Sequence, residues 1–225
     1  MPKPYFDFQQ SGEQADIYIF GDITSYPYLD SDTSAYRLAQ QLQKAGDLAE
    51  INIHIDSYGG EVSEGFAIYN AIRNKNARVN TYADGFVASA AIYPFLAGDQ
   101  RVANNVSAFY FHPVIGGQYG YAEDLREAAD ELDKLTEIGL GAFTAAGMTE
   151  QAARDLIKSK TWYAPEAMLE MGLATSIQKQ GDGRTATQSV RDLIVRQMLT
   201  TPAPPTPPKE PEQKKPTLFD LFAKI

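Results

Sequence analysis

The chain has no cysteine, which excludes disulfides, thiolate nucleophiles and cysteine–zinc centres. Histidine is nearly absent, with only His54 and His112 in 225 residues. Basic charge is in deficit: the formal net charge of −9 argues against nonspecific binding to nucleic acid or to an anionic membrane. Long apolar runs are missing too. The most apolar stretch, residues 85–98, is only about 14 residues long and carries Ser89 and Pro94. That is too short to span a bilayer and reads as a buried core helix. The opening Met-Pro-Lys-Pro-Tyr-Phe-Asp-Phe holds no apolar signal core, so a cytoplasmic protein is expected.

What is present is ordinary for a globular chain, with 44% hydrophobic and 22% charged residues. Ala15 to Phe20 alternates as a strand does. Residues 34–45 carry Leu38, Leu42 and Ala45 at helical spacing, with Ser34 as a candidate cap. Ile51, Ile53 and Ile55 then alternate with Asn52, His54 and Asp56, a strand that runs into the turn Ser57-Tyr58-Gly59-Gly60. Val62 to Ile72 reads as a helix, residues 77–83 as a strand and Asp84-Gly85 as a turn. Residues 87–97 read as a helix and 107–111 as a strand. Strand and helix alternating at this pitch imply βαβ units and a mostly parallel sheet.

Further on, residues 121–146 form a long helical segment rich in Ala, Leu and Glu. Thr149-Glu150-Gln151-Ala152 opens another helix, with Thr149 or Met148 near its cap, and Pro165 starts a short one that Gly172 stops. Residues 173–177 read as a last strand. The domain is expected to close near residue 179 and to be followed by a short helical segment at 180–200. Seven prolines among residues 201–216 predict an extended, disordered linker, and residues 217–225 end in a Leu-Phe motif.

Ligand sites in parallel sheets lie beyond the carboxyl ends of strands. Gly59-Gly60, Ser89 and His112 all follow strand ends. Ser89 supplies a nucleophile, and His112 a base of the type that titrates near neutral pH. The diglycine lets a substrate carbonyl approach backbone N–H groups. Together they are the parts of an acyl-transfer site that needs no metal or cofactor. His54 shares a strand face with Asn52 and Asp56 and reads as structural or surface. Asp56 and Asp84 read as turn-shaping.

Five segments in order resemble the proteolytic subunit of the Clp protease and its phage relatives, the head-maturation proteases. They are Ile55-Asp56-Ser57-Tyr58-Gly59-Gly60, Gly65 to Tyr69, Gly85-Phe86-Val87-Ala88-Ser89-Ala90, His112-Pro113 with Gly116-Gly117, and Ala164-Pro165-Glu166-Ala167 before Gly172-Leu173. The resemblance implies a crotonase-like ββα-superhelix of α/β class, with residues 121–146 as a protruding handle helix that joins stacked rings. It implies Ser89 as nucleophile, His112 as base, and the Gly60 and Ala90 N–H groups as oxyanion hole. Protein or peptide substrates and a homo-oligomer follow from it.

Two departures stand out. The family's catalytic acid position falls on Ser159, or on Lys160 with a one-residue shift, and neither is a carboxylate. Asp155, one helical turn earlier, is a weak substitute, so the third group is unknown. The N-terminal segment is short and unlike that of cellular members, which weakens docking to an ATPase. These departures and the tethering tail point to a phage prohead protease in a host cytoplasm, with a capsid or scaffold partner. The alternatives are a catalytically degenerate ring or scaffold protein, a cellular Clp subunit, and a crotonase-like acyl-CoA enzyme.

Overall fold

The computed structural model describes residues 6–28 and 32–178. The expected segments at 180–200, 201–216 and 217–225 lie outside the described residues.

The scaffold is a sheet in the order β1 (Phe6–Ser11), β2 (Gln14–Ile19), β3 (Glu50–Ser57), β4 (Arg78–Ala88), β5 (Gln100–Asn104) and β8 (Ser176–Gln178). All these neighbours run parallel except β1 on β2. Two short strands, β6 (Ala108–Tyr110) and β7 (Trp162–Tyr163), branch off it: β6 lies parallel to β4 and antiparallel to β7. β4 thus serves two partners. Its first half pairs with β5 and its second half with β6.

Alternation explains the faces of the sheet. Ile17, Ile19, Ile51, Ile53 and Ile55 are wholly buried in the main core with Leu38 of α1 (Ala35–Ala45) and Ile68 and Ile72 of α2 (Val62–Arg73). Ser34 caps α1 as expected, its hydroxyl accepting from the Arg37 N–H at 3.2 Å. On the opposite face Tyr18, His54 and Tyr82 stand in register and stack at 4.9 and 4.7 Å. His54 Nδ1 lies 2.9 Å from Asp84 Oδ2, and Asp84 Oδ1 accepts from Asn104 Nδ2 at 2.7 Å. His54 is therefore structural, and it is buried rather than on the surface.

The turn expected at Asp84-Gly85 is instead an irregularity inside β4. Pairing with β3 jumps from Ile55↔Ala83 to Ser57↔Val87. Asp56 fills the gap, its Oδ1 accepting from the Phe86 N–H at 2.9 Å. Gly85 leaves room for that carboxylate: a Cβ there would stand 2.3 Å from Asp56 Oδ1. The strand consequently continues to Ala88, and the helix expected at 87–97 begins later. It is a 3₁₀ turn, Ser89–Ala91, followed by α3 (Ile92–Leu96).

The long segment is the helix α4 (Ala122–Ala145), whose C-terminal part buries Gly139, Leu140, Ala142 and Phe143. Gly139 allows it to close on Tyr93, whose hydroxyl would lie 2.3 Å from an added Cβ. Burial pushes the Tyr93 phenol up to about 12. The N-terminal half leaves Leu125 46% exposed and Leu132 and Leu135 half-buried. Then follow α5 (Glu150–Lys158), capped by Thr149, and α6 (Pro165–Glu170), with its proline in the first turn. No described helix is long and apolar enough to cross a membrane.

Candidate active site

Ser89 is the first residue after β4 and has φ +54, one of two positive values at non-glycine residues among those described. A side chain in this region costs on the order of 1–3 kcal/mol and survives only where its surroundings enforce it. Here a fully buried strand end (Val87, Ala88) and a buried turn (Ala90, Ala91) hold it in place. Among the described residues, the Ser89 hydroxyl makes no hydrogen bond, so it is free for a substrate. Ala90, second in the 3₁₀ turn, has an N–H without a helical acceptor, as any such N-terminal donor does.

His112 lies two residues past the end of β6, and its backbone is restricted to extended conformations by Pro113. It is half-buried and lines one pocket with Ser89, Ala90 and Tyr110. Val62, Phe143 and Ile157 supply apolar walls. The Tyr110 ring flanks the imidazole at 5.6 Å. His112 Nδ1 lies 2.6 Å from the carbonyl oxygen of Pro113. The next backbone N–H, that of Val114, donates to Thr136 Oγ1 on α4 at 2.9 Å.

The diglycine approaches from the other side. Gly59 has φ +95 and Gly60 φ +144, conformations that glycine alone adopts without strain. Gly59 lies against the Ser89 turn: a Cβ would meet Ala88 O at 2.6 Å, Ala90 N at 2.7 Å and Ser89 Cβ at 2.8 Å. Gly60 bridges to Ile23. The Ile23 N–H donates to Gly59 O and the Glu61 N–H to Ile23 O, both at 2.8 Å. A parallel bridge of this kind uses the groups on either side of Gly60 and leaves the exposed Gly60's own N–H pointing away. The loop is pinned at Glu61, whose Oε1 accepts from Thr24 Oγ1, Ser25 N and Ser25 Oγ at 2.9–3.1 Å. Bonds from Ser25 and Thr24 hold this carboxyl below the usual carboxylate range.

The structure thus brings Ser89, Ala90 and His112 to one pocket, with Gly59-Gly60 packed on the serine turn. Among the described residues, none of the three candidates for a third group bonds to His112. Ser159 ends α5 and its hydroxyl donates to Leu156 O at 2.6 Å. Lys160 is exposed and has φ +49. Asp155 is exposed on α5 and accepts from Gln151 Nε2 at 2.9 Å. Sequence reading missed Tyr110 and Thr136 at this site. Their only signal was a tyrosine two residues before the histidine and one of two threonines in a helix rich in Ala, Leu and Glu.

A serine held at positive φ beyond a parallel strand, a histidine on the same pocket and spare backbone N–H groups together make the arrangement of a serine hydrolase. Comparison with known proteins narrows the class: the chain belongs to the Clp protease family, whose model matches residues 23–181. It is 31% identical over 181 residues to the ATP-dependent Clp protease proteolytic subunit 2 of Treponema pallidum, covering 78% of this chain and 88% of that protein. A Streptomyces avermitilis proteolytic subunit 3 is 30% identical over 160 residues, or 69% of this chain and 73% of the relative. Among solved structures, a ClpP1 mutant from Listeria monocytogenes shares the fold with a TM-score of 0.63 at 21% identity, covering 76% of this chain and 93% of that one.

Proposed function

We propose that this chain is a serine endopeptidase acting on protein and peptide substrates through an acyl-enzyme. The strained Ser89 sharing a pocket with His112 is the observation that carries this reading. Ser89 Oγ attacks the peptide carbonyl while His112 Nε2 takes its proton. The N–H groups of Gly60 and Ala90 stabilise the oxyanion. His112 then returns the proton to the leaving amine, and water, activated by the same imidazole, releases the acyl group. The apolar pocket walls suit an apolar side chain next to the cleaved bond. None of these steps calls for a metal or cofactor.

A fluorophosphonate probe tests the chemistry. One covalent adduct per chain is expected, on the peptide containing Ser89, together with hydrolysis of apolar fluorogenic peptides. An unlabelled chain that cleaves nothing would leave the alternative of a non-catalytic ring or scaffold protein.

The assembly belongs to the same reading. The N-terminal half of α4 carries Leu125, Ala128, Leu132 and Leu135 along one side, none of them buried. An apolar stripe on a long helix calls for a second surface, and we assign that surface to another copy of this chain, in a ring or stacked rings. Light scattering on the full chain should give a multiple of 24.8 kDa, and Leu125→Asp with Leu132→Asp should lower it. A monomeric wild type would refute assembly.

The named relatives are cellular Clp subunits, which favours that setting. A phage head-maturation role in a host cytoplasm is the second reading. Seven prolines at 201–216 followed by a Leu-Phe motif favour it, since they suit a tether to a capsid or scaffold partner.

A further inference from the structure

The imidazole of a serine–histidine pair needs its Nδ1 proton held by an acceptor, so that Nε2 presents a lone pair to the serine. Among the described residues no carboxylate does this. From the hydrogen bonds around the loop after β6, we infer that Thr136 of α4 positions His112 through the Pro113–Val114 peptide group, which takes the orienting role of the missing acid. This inference rests on the reading of His112 as the catalytic base.

The direction of each proton is fixed by chemistry. A carbonyl oxygen can only accept, so the 2.6 Å contact between His112 Nδ1 and Pro113 O places the proton on Nδ1. The N–H of Val114 belongs to the same peptide group as that carbonyl. It can only donate, and it donates to Thr136 Oγ1 at 2.9 Å. The Thr136 hydroxyl in turn donates to Leu132 O, one helical turn back, at 2.9 Å. The threonine is thereby locked: its proton is committed to the helix and a lone pair faces Val114. Because a peptide group is planar, fixing its N–H fixes its C=O. Successive bonds of this kind also polarise one another, which strengthens the carbonyl as an acceptor. Packing supports the loop nearby, since Gly116 lies against Leu132, whose Cδ2 would be 3.0 Å from an added Cβ.

A carbonyl dipole is a weaker partner for the imidazolium than a full negative charge, so this device orients more than it stabilises charge. Thr136 touches neither substrate nor reacting atoms and is a positioning residue.

The test is nitrogen-15 solid-state NMR of the full chain with labelled imidazoles, together with peptidase kinetics. Only two histidines contribute, and His112→Ala identifies the second signal. Wild-type neutral His112 should carry its proton on Nδ1. Thr136→Val keeps the side-chain shape and removes the hydroxyl. It should give a mixture of tautomers and lower kcat roughly fivefold, the rate equivalent of one neutral hydrogen bond, with KM little changed. Thr136→Ser should restore both. A wild-type His112 protonated on Nε2 would overturn the inference, even if Thr136→Val failed to fold. So would wild-type tautomer and kcat in Thr136→Val. An Nδ1-protonated His112 in a chain that neither reacts with fluorophosphonate nor cleaves peptides would support the geometry and sink the protease reading instead.

Discussion

The Ser89→Ala, His112→Ala double variant should be no less active than either single variant. Two groups that act as one unit do not contribute additively: once the nucleophile is gone its base has nothing to do, and the reverse. The size of the loss follows from what the site lacks. Dismantling a full triad has cost on the order of 10⁶ in kcat, and replacing its acid alone on the order of 10⁴. A site whose described residues put no carboxylate on the histidine therefore has at least about 10² left to lose. It has more if the Pro113 carbonyl restores part of the orientation. Each variant should fall by that factor or further in peptide hydrolysis, and Ser89→Ala should also lose the fluorophosphonate adduct. Burial argues that both will fold. Ser89 and His112 are only partly buried and neither side chain carries part of the core, and alanine relaxes none of the surrounding bonds of Gly59 or Ala90. Additive losses would mean that the two residues act separately, and the shared-pocket mechanism would fail.

The residues that most constrain the backbone were legible without a structure. Alternating isoleucines at 51, 53 and 55 give a strand whatever surrounds it, and Ser34 and Thr149 cap helices because their hydroxyls satisfy orphan N–H groups. Gly59, Gly60, Ser89 and His112 were readable as a set because each follows a strand end in a parallel sheet. What sequence could not give was anything set by pairing across distance. The Asp84-Gly85 pair carries every mark of a turn, yet Asp56, 30 positions away from Phe86, holds the strand straight through it. The strands β1, β5 and β7 escaped notice because they are short or polar and exist through their partners. His54 looked like any polar residue on an alternating strand. Its burial comes from tyrosines on both neighbouring strands, which register alone brings together. The support of His112 was invisible for the same reason: 22 positions separate Val114 from Thr136, and only the packing of α4 beside the loop makes them neighbours.

Gly59→Ala should cost more activity than stability, and Gly46→Ala should do the opposite. Both glycines have positive φ, +95 and +72, so alanine at either pays a backbone strain on the order of 1–3 kcal/mol. In a chain of this size that is a fall in Tm of several degrees. Their surroundings differ. Gly46, at the end of α1, has nothing within 4 Å of an added Cβ, so its variant needs no movement elsewhere. At Gly59 the Cβ would stand 2.6–2.8 Å from Ala88 O, Ala90 N and Ser89 Cβ. Two of these are backbone atoms of the nucleophile's own turn, so relief requires the diglycine loop or the serine turn to shift. The loop cannot slide freely, because Gly59 O and the Glu61 N–H are both bonded to Ile23 and Glu61 is clasped by Thr24 and Ser25. Any movement therefore changes the distance between Ser89 Oγ and the N–H groups of Gly60 and Ala90. Losing one oxyanion donor costs about 10²–10³ in kcat. Gly59→Ala should accordingly lose about 10² or more in kcat and react slowly with fluorophosphonate while still unfolding cooperatively. Gly46→Ala should keep wild-type kcat at a reduced Tm. Wild-type turnover in Gly59→Ala would remove the diglycine from the site and leave the oxyanion without its proposed donor at Gly60.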